Sequence, residues 1–266
     1  MNDDRALSET ELLYQRDSGL RSVEATVVGV EPESRLVALD KTVVFPGGGG
    51  QPCDEGTLTR LADGRQWPVV SARKTGGVVW HEAGDGPLPD VGDPVRVELN
   101  WERRYRLMRM HTALHVLCGV VFRDYNALVT GGNMGPDRAR MDFEMDSAAF
   151  TPERVAEIER SANQELRAGR DVRIQILPRD EAFQIPDLIR TKINLLPEGI
   201  PEVRTVEIVG LDLQADGGTH VQNTREVGEL RVVGTRSKGK ANKRLEIELT
   251  DPRVSNDSSG GEDQLG

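Results

Sequence analysis

The chain is 266 residues long, 37% hydrophobic and 29% charged, with a formal net charge of −10. That composition fits a globular protein with a true core in one large or two ordinary domains, and the negative total argues against promiscuous nucleic-acid binding through the overall field. No apolar run approaches the ~20 residues of a membrane-spanning helix, and the acidic opening "MNDDRALSETELLYQRDSG" is no secretory signal.

Two cysteines, Cys53 and Cys118, suggest no disulfide framework, so a reducing cytoplasm is the expected compartment. The first hundred residues read as β. In "SVEATVVGVEPES", Val23, Ala25 and Val27 alternate before a turn at Glu31-Pro32-Glu33-Ser34, and "RLVALDKTVVF" then leads into the glycine run at 47–50. Shorter candidates are "GTLTR", "WPVVSARK", "GVVWHEA" and "PVRVELN"; in the last, Val95, Val97 and Leu99 alternate. Many short strands punctuated by Gly and Pro predict a small barrel or sandwich. The run "FPGGGGQP" lets backbone approach a phosphate or ribose, yet it has neither the lysine nor the following helix of a P-loop. A flexible barrel loop is the competing reading.

At Trp101 the pattern changes. "WERRYRLMRMHTALHVLCGVVFRDY" places Leu107, Met110, Leu114 and Leu117 at intervals of three and four, which predicts a long helix. A second helix opens at Thr151-Pro152-Glu153, with Thr151 as N-cap and proline in the first turn. It carries Val155, Ile158, Ala162 and Leu166 on one face and ends at Gly169. "DVRIQIL", "VRTVEIVG", "ELRVVG" and "KRLEIEL" read as strands, with a short helix around Asp180–Phe183. This half is expected to be α+β with a mainly antiparallel sheet, followed by a disordered polar tail, "SNDSSGGEDQLG".

Two basic clusters break the acidic background. One holds Arg103, Arg104, Arg106 and Arg109; the other holds Arg231, Arg236, Lys238, Lys240, Lys243 and Arg244. They read as solvated faces of a charged protein, unless they border a common groove and contact phosphates there.

The chemistry-bearing residues are few. His111 and His115 lie four apart on the first helix, so they project from one face and can hold two corners of a tetrahedral metal site. No Glu follows His111, so this is not the zinc-protease pattern. His220 follows "DGGT", and Gly217 and Gly218 permit a tight turn that swings both Asp216 and His220 toward one point. Asp216 offers a carboxylate oxygen as a fourth ligand. Packing or loop roles for these histidines are the plainer alternative. Cys118, three residues after His115, is the competing ligand, but a buried small residue is its expected role. His81, in the β region, is read as unrelated to this cluster.

In order along the chain, "LDKTVVFPGGGGQPCDEGTL", "LNWERRYRLMRMHTALHVL", "GGTHVQNTREVGEL" and "GKANKRLEIEL" resemble segments of the alanyl-tRNA editing proteins, free-standing relatives of the alanyl-tRNA synthetase editing domain. The glycine loop alone is a weak signal. HTA-x-H followed about a hundred residues later by GGTHV-x-x-T-x-E-x-G is a strong one. The resemblance implies a β-barrel domain at 1–99, a metal-dependent editing domain at 100–252 and a tail at 253–266. It implies hydrolysis of the ester that joins a wrong amino acid, chiefly serine and also glycine, to tRNA(Ala), with no membrane and no stable protein partner.

Carried over position by position, the Zn2+ ligands are His111, His115, Asp216 and His220, with the three histidines at the catalytic centre. Thr130 is the expected partner of a seryl hydroxyl, with a turn residue before Gly131-Gly132 as its competing role, and Gly48, Gly49, Gly50 and Gln51 close one side of the tRNA-end pocket. One departure stands out: the family pattern has Cys where this chain has Asp216. Three imidazoles and a carboxylate resemble a hydrolytic zinc centre more than a structural cysteine site. Asp216 could instead be a base or a turn residue. Two other functions therefore stay open: a hydrolase for another aminoacyl-tRNA, or a tRNA-binding or interaction module without turnover.

Overall fold

The computed structural model describes residues 7–146, 150–194, 196–237, 239 and 241–251. The expected tail, Lys238 and Lys240 lie outside the described residues.

The N-terminal strands are β1 (Glu11–Leu12), β2 (Ser22–Glu31), β3 (Leu36–Leu39), β4 (Lys41–Thr42), β5 (Gly56–Arg60), β6 (Gln66–Thr75), β7 (Val78–Ala83) and β8 (Pro94–Leu99). Six of them close a barrel in the order β2-β3-β7-β6-β5-β8, every neighbouring pair antiparallel. Period-two patterning explains the closure. Along β8, Val95, Val97 and Leu99 point inward while Pro94, Arg96 and Glu98 face solvent. They meet Val27, Leu39, Leu58, Trp67 and Val69 in a continuous interior. The segment "RLVALDKTVVF" is not one strand. At Asp40 the carboxylate accepts the Thr26 N–H at 2.8 Å, and the chain leaves the barrel as β4, which pairs in parallel with β1.

Beyond the barrel come α1 (Trp101–Tyr125), β9 (Val129–Met134), β10 (Arg138–Glu144), α2 (Pro152–Arg167), β11 (Val172–Pro178), α3 (Arg179–Ala182), β12 (Glu202–Ile208), β13 (Asp212–Ala215), β14 (Glu229–Ser237) and β15 (Asn242–Thr250). Asn100 caps α1 by accepting the Arg103 N–H at 3.2 Å, and Asn126 ends it in the left-handed region at φ 52°. Thr151 caps α2 in the same way, at 3.3 Å from the Arg154 N–H. Two antiparallel sheets result, β14-β15-β10-β9 and β11-β12-β13, so this half is α+β with a mainly antiparallel arrangement, an isolated parallel bridge from Val129 to Thr191 aside.

From Leu107 to Val121 every residue of α1 is buried. The helix is the central post of the fold, with Leu114 and Leu117 in the core beside Ile158 and Leu166 of α2 and Ile247 of β15. No described helix is long and apolar enough to cross a membrane.

The basic clusters are solvated faces only in part. Arg104 is fully buried and chelates Asp54 of the barrel loop at 2.9 and 3.0 Å. Arg109 is buried too, donating to the Val227 carbonyl at 2.8 Å and the Thr250 carbonyl at 2.8 Å. Arg103 pairs with Glu55 and Arg106 with Asp137. In the second cluster Lys243 is buried and Arg244 clasps Asp142 at 2.6 Å, while Arg231 and Arg236 are exposed. Arg104, Arg109, Lys243 and Arg244 are thus committed to internal ties, and Arg104 fastens the barrel to α1.

Candidate metal centre

His111 and His115 sit one helical turn apart on α1, 6% and 5% exposed. The second half of the cluster comes from the segment after β13. There the Asp216 carboxylate accepts the Gly218 N–H at 2.7 Å, closing a turn that returns His220 to the face of α1. Neither Gly217 nor Gly218 adopts a left-handed φ. The need at Gly218 is space: a Cβ there would lie 2.3 Å from His111 Cε1.

All three imidazoles turn Nε2 toward the Asp216 carboxylate. His220 Nε2 is 3.1 Å from Oδ2; His111 Nε2 and His115 Nε2 are 3.5 and 4.0 Å from Oδ1. One ligand atom from each of the four residues falls within 4.8 Å of every other. Their Nδ1 atoms face outward. That of His111 meets Gln51 Oε1 at 3.0 Å, and that of His220 meets Thr112 Oγ1 at 3.1 Å. His115 Nδ1 is buried with no hydrogen-bond partner among the described residues, and the nearest carboxylate oxygen, Asp212 Oδ2, lies 3.9 Å away.

Electrostatics agree with this donor set. Burial pushes His111 down to about 4 and holds His220 well below the usual imidazole range, so both rings are neutral at pH 7. Burial opposes charge on Asp216 as well. As pH falls and the imidazoles take up protons, attraction to His111 above all, with the hydrogen bond from His220 and the charges of His220 and His115, outweighs burial and holds the carboxyl well below its usual range. Neutral imidazoles and an ionised carboxylate are the forms that ligate a divalent cation. Three nitrogens and one oxygen suit zinc at a tetrahedral site, and they admit other divalent ions of similar preference.

The cluster opens onto a cavity of about 560 Å3. Gly49 and Gly50 of the barrel loop line one side, and Thr130, Gly131 and Gly132 of β9 line another. Thr130 is exposed into this space and its hydroxyl donates to Asn242 Oδ1 at 3.1 Å. Gly48 and Gln51 do not line the cavity. Gly48 exchanges two backbone hydrogen bonds of 3.0 Å with Gln51, and the Gln51 side chain runs beneath the histidines. The loop is not slack: its tip is closed by that exchange, and the Gly50 carbonyl accepts the Met134 N–H at 3.1 Å.

A third wall, residues 189–194, carries no sequence motif. Backbone bonds from the Val129 N–H to the Arg190 carbonyl and from the Lys192 N–H to the Val129 carbonyl hold it to β9, at 2.9 and 2.8 Å. Asp212 also escapes a motif search. Its buried carboxylate accepts Arg190 Nε at 3.1 Å and Gln214 Nε2 at 2.5 Å beside His115. Cys118 lies away from the cluster in the apolar core, where burial pushes its thiol pKa up. His81 is fully buried in the barrel, bonded to Thr42 Oγ1 and the Val37 carbonyl.

Residues 203–246 match the threonyl and alanyl tRNA synthetase second additional domain. The chain is 38% identical over 245 residues to alanyl-tRNA editing protein AlaX-M of Methanosarcina barkeri, covering 91% of this chain and 100% of that one. AlaX-M of Saccharolobus solfataricus is 37% identical over 236 residues, 89% of this chain and 97% of its own length. An alanine–tRNA ligase of Saccharolobus islandicus is 35% identical over 234 residues, which are 86% of this chain and 25% of the ligase. With this similarity running along nearly its whole length, the chain belongs to the AlaX-M alanyl-tRNA editing protein family.

Proposed function

We propose that the protein deacylates mischarged tRNA(Ala), hydrolysing the ester that carries serine and, secondarily, glycine. Its metal would be Zn2+, held by His111, His115, Asp216 and His220. The observation that carries this reading is the convergence of three Nε2 atoms and one carboxylate at the wall of a cavity large enough for an aminoacylated ribose. A bound zinc ion supplies a Lewis acid that polarises an ester carbonyl and acidifies water.

The rest falls to the chain's own groups. Gly49, Gly50, Gly131 and Gly132 leave parts of the cavity wall as bare backbone, which gives the ribose ester room to approach the histidines. Thr130 Oγ1 spends its proton on Asn242, which leaves lone pairs to accept a hydrogen bond from a seryl hydroxyl. Alanine brings no hydroxyl, and a site built to bind one disfavours the analogue that lacks it. In this reading residues 1–99 form the barrel domain that delivers the glycine loop, and residues 100–252 form the editing domain. The enzyme is cytoplasmic and meets its tRNA transiently.

The test is the deacylation rate of tRNA(Ala) charged with serine or with alanine, by metal-stripped protein and after zinc re-addition. Fast, zinc-restored loss of serine with alanine spared is the expected result. A folded, zinc-loaded protein that releases neither amino acid would overturn the reading in favour of another charged tRNA or of binding without turnover.

A further inference from the structure

We infer that Gln51, a residue of the barrel loop, is a positioning residue of the metal centre: its carboxamide fixes His111 as the Nδ1–H tautomer and thereby aims the Nε2 lone pair at the ligand cluster. The inference rests on the metal-centre reading above.

The assignment follows from one group whose hydrogen-bonding role is fixed. A backbone N–H can only donate, and the Thr219 N–H points at a Gln51 side-chain atom 3.1 Å away. That atom must be the carbonyl oxygen Oε1, which sets the orientation of the amide. The same oxygen lies 3.0 Å from His111 Nδ1. An oxygen cannot donate, so Nδ1 must carry the proton. In a neutral imidazole the other nitrogen is then bare, and Nε2 is the atom that faces Asp216. The remaining half of the carboxamide is also spent, since Nε2 of Gln51 donates to Thr219 Oγ1 at 2.9 Å.

The contact is rigidly framed from both sides. Gln51 is 2% exposed, and its backbone is clamped by the exchange with Gly48. The base of the loop is closed by Asp54, which accepts the Phe45 N–H at 2.7 Å and is held by Arg104 on α1, seven residues before His111. A Cβ at Gly218 would lie 2.5 Å from His111 Nδ1 and 2.6 Å from Gln51 Oε1, so glycine is the residue that leaves room for this pairing. An acceptor on the outer nitrogen also raises the basicity of the ligating one, and such contacts supply about 10–100-fold in metal affinity.

A mere brace between barrel and Thr219 would not depend on the tautomer, and two readouts separate the roles. The first is the ring 15N spectrum of metal-free wild-type protein at neutral pH, where His111 is expected to show a protonated Nδ1 and a bare Nε2. The second is zinc affinity of the full chain by chelator competition. Gln51→Met, which keeps volume and loses the acceptor, is expected to weaken zinc binding about 10–100-fold. Gln51→Glu, which keeps the acceptor, should hold wild-type affinity or exceed it. A wild-type Nε2–H tautomer, or a Gln51→Met protein with undiminished zinc affinity, overturns the inference. Should Gln51→Met not fold, the wild-type ring spectrum decides alone. Wild-type protein that binds no zinc would defeat the metal-centre reading, while the ring spectrum would still decide the Gln51 contact.

Discussion

Asp216 performs two tasks with one side chain. Oδ2 closes the turn through the Gly218 N–H and approaches His220 Nε2, while Oδ1 faces His111 and His115. A thiolate in its place would be a softer, single-atom ligand, with little capacity to close the same turn. Asp216→Asn is therefore expected to lower zinc affinity by more than about 100-fold, beyond what an outer contact supplies. Asp216→Cys should still bind the ion and give Co2+-substituted protein a thiolate charge-transfer band. Chelator competition and the Co2+ spectrum are the measurements; an Asp216→Asn protein with wild-type affinity would reduce Asp216 to a turn residue. The four cluster residues were visible in the sequence because two short motifs hold them at fixed local spacing. Gln51 was visible only as a neighbour of glycines. Its partner His111 is 60 positions away, and no local pattern encodes a contact between a barrel loop and a helix.

The same division holds among the secondary-structure elements. Strands with clean alternation, such as β8, are legible because one face is buried and the other is wet. β9 and β13 are not: β9 carries Gly131 and Gly132 where apolar side chains would mark a strand, and β13 is four residues long. Both nevertheless position the cavity. β7 contributes a buried histidine with a separate consequence. His81 is fully buried: Nε2 meets Thr42 Oγ1 at 2.8 Å and Nδ1 meets the Val37 carbonyl at 3.1 Å, and although the carbonyl favours a charged ring, loss of solvent outweighs it. Burial lowers it from 6.5 to about 4. Between those values the unfolded chain takes up a proton that the folded protein refuses. The stability contributed by the neutral ring is thus fully present above pH 6.5 and lost as pH falls toward 4, amounting to about 3 kcal/mol. His81→Gln, which cannot titrate, should unfold in urea with a shallower dependence on pH between 6.5 and 4 than the wild type. An unchanged slope would show that His81 is not a source of the acid lability.

Across the whole molecule, the arginine-rich start of α1 reads as a surface feature, and the structure turns much of it inward. Sequence alone offers no reason to bury Arg104, because the reason is Asp54, 50 positions earlier in a loop of the other half. Arg104 donates through Nε to both oxygens of Asp54, and through Nη1 and Nη2 to the carbonyls of Ser18 and Val43, at 3.1 and 2.6 Å. The barrel, the glycine loop and the helix bearing His111 and His115 are thereby locked into one frame. A buried pair of this kind is not a large net source of stability, since desolvation offsets much of the attraction; removing one partner is what costs, because the other charge is stranded. Arg104→Met should therefore lose about 3–5 kcal/mol in urea unfolding, and Asp54→Leu a comparable amount. The double variant should lose clearly less than the sum of the two, since neither charge is then left unpaired. Strict additivity would mean that the two side chains act independently and that the junction between barrel and helix is held by its other contacts.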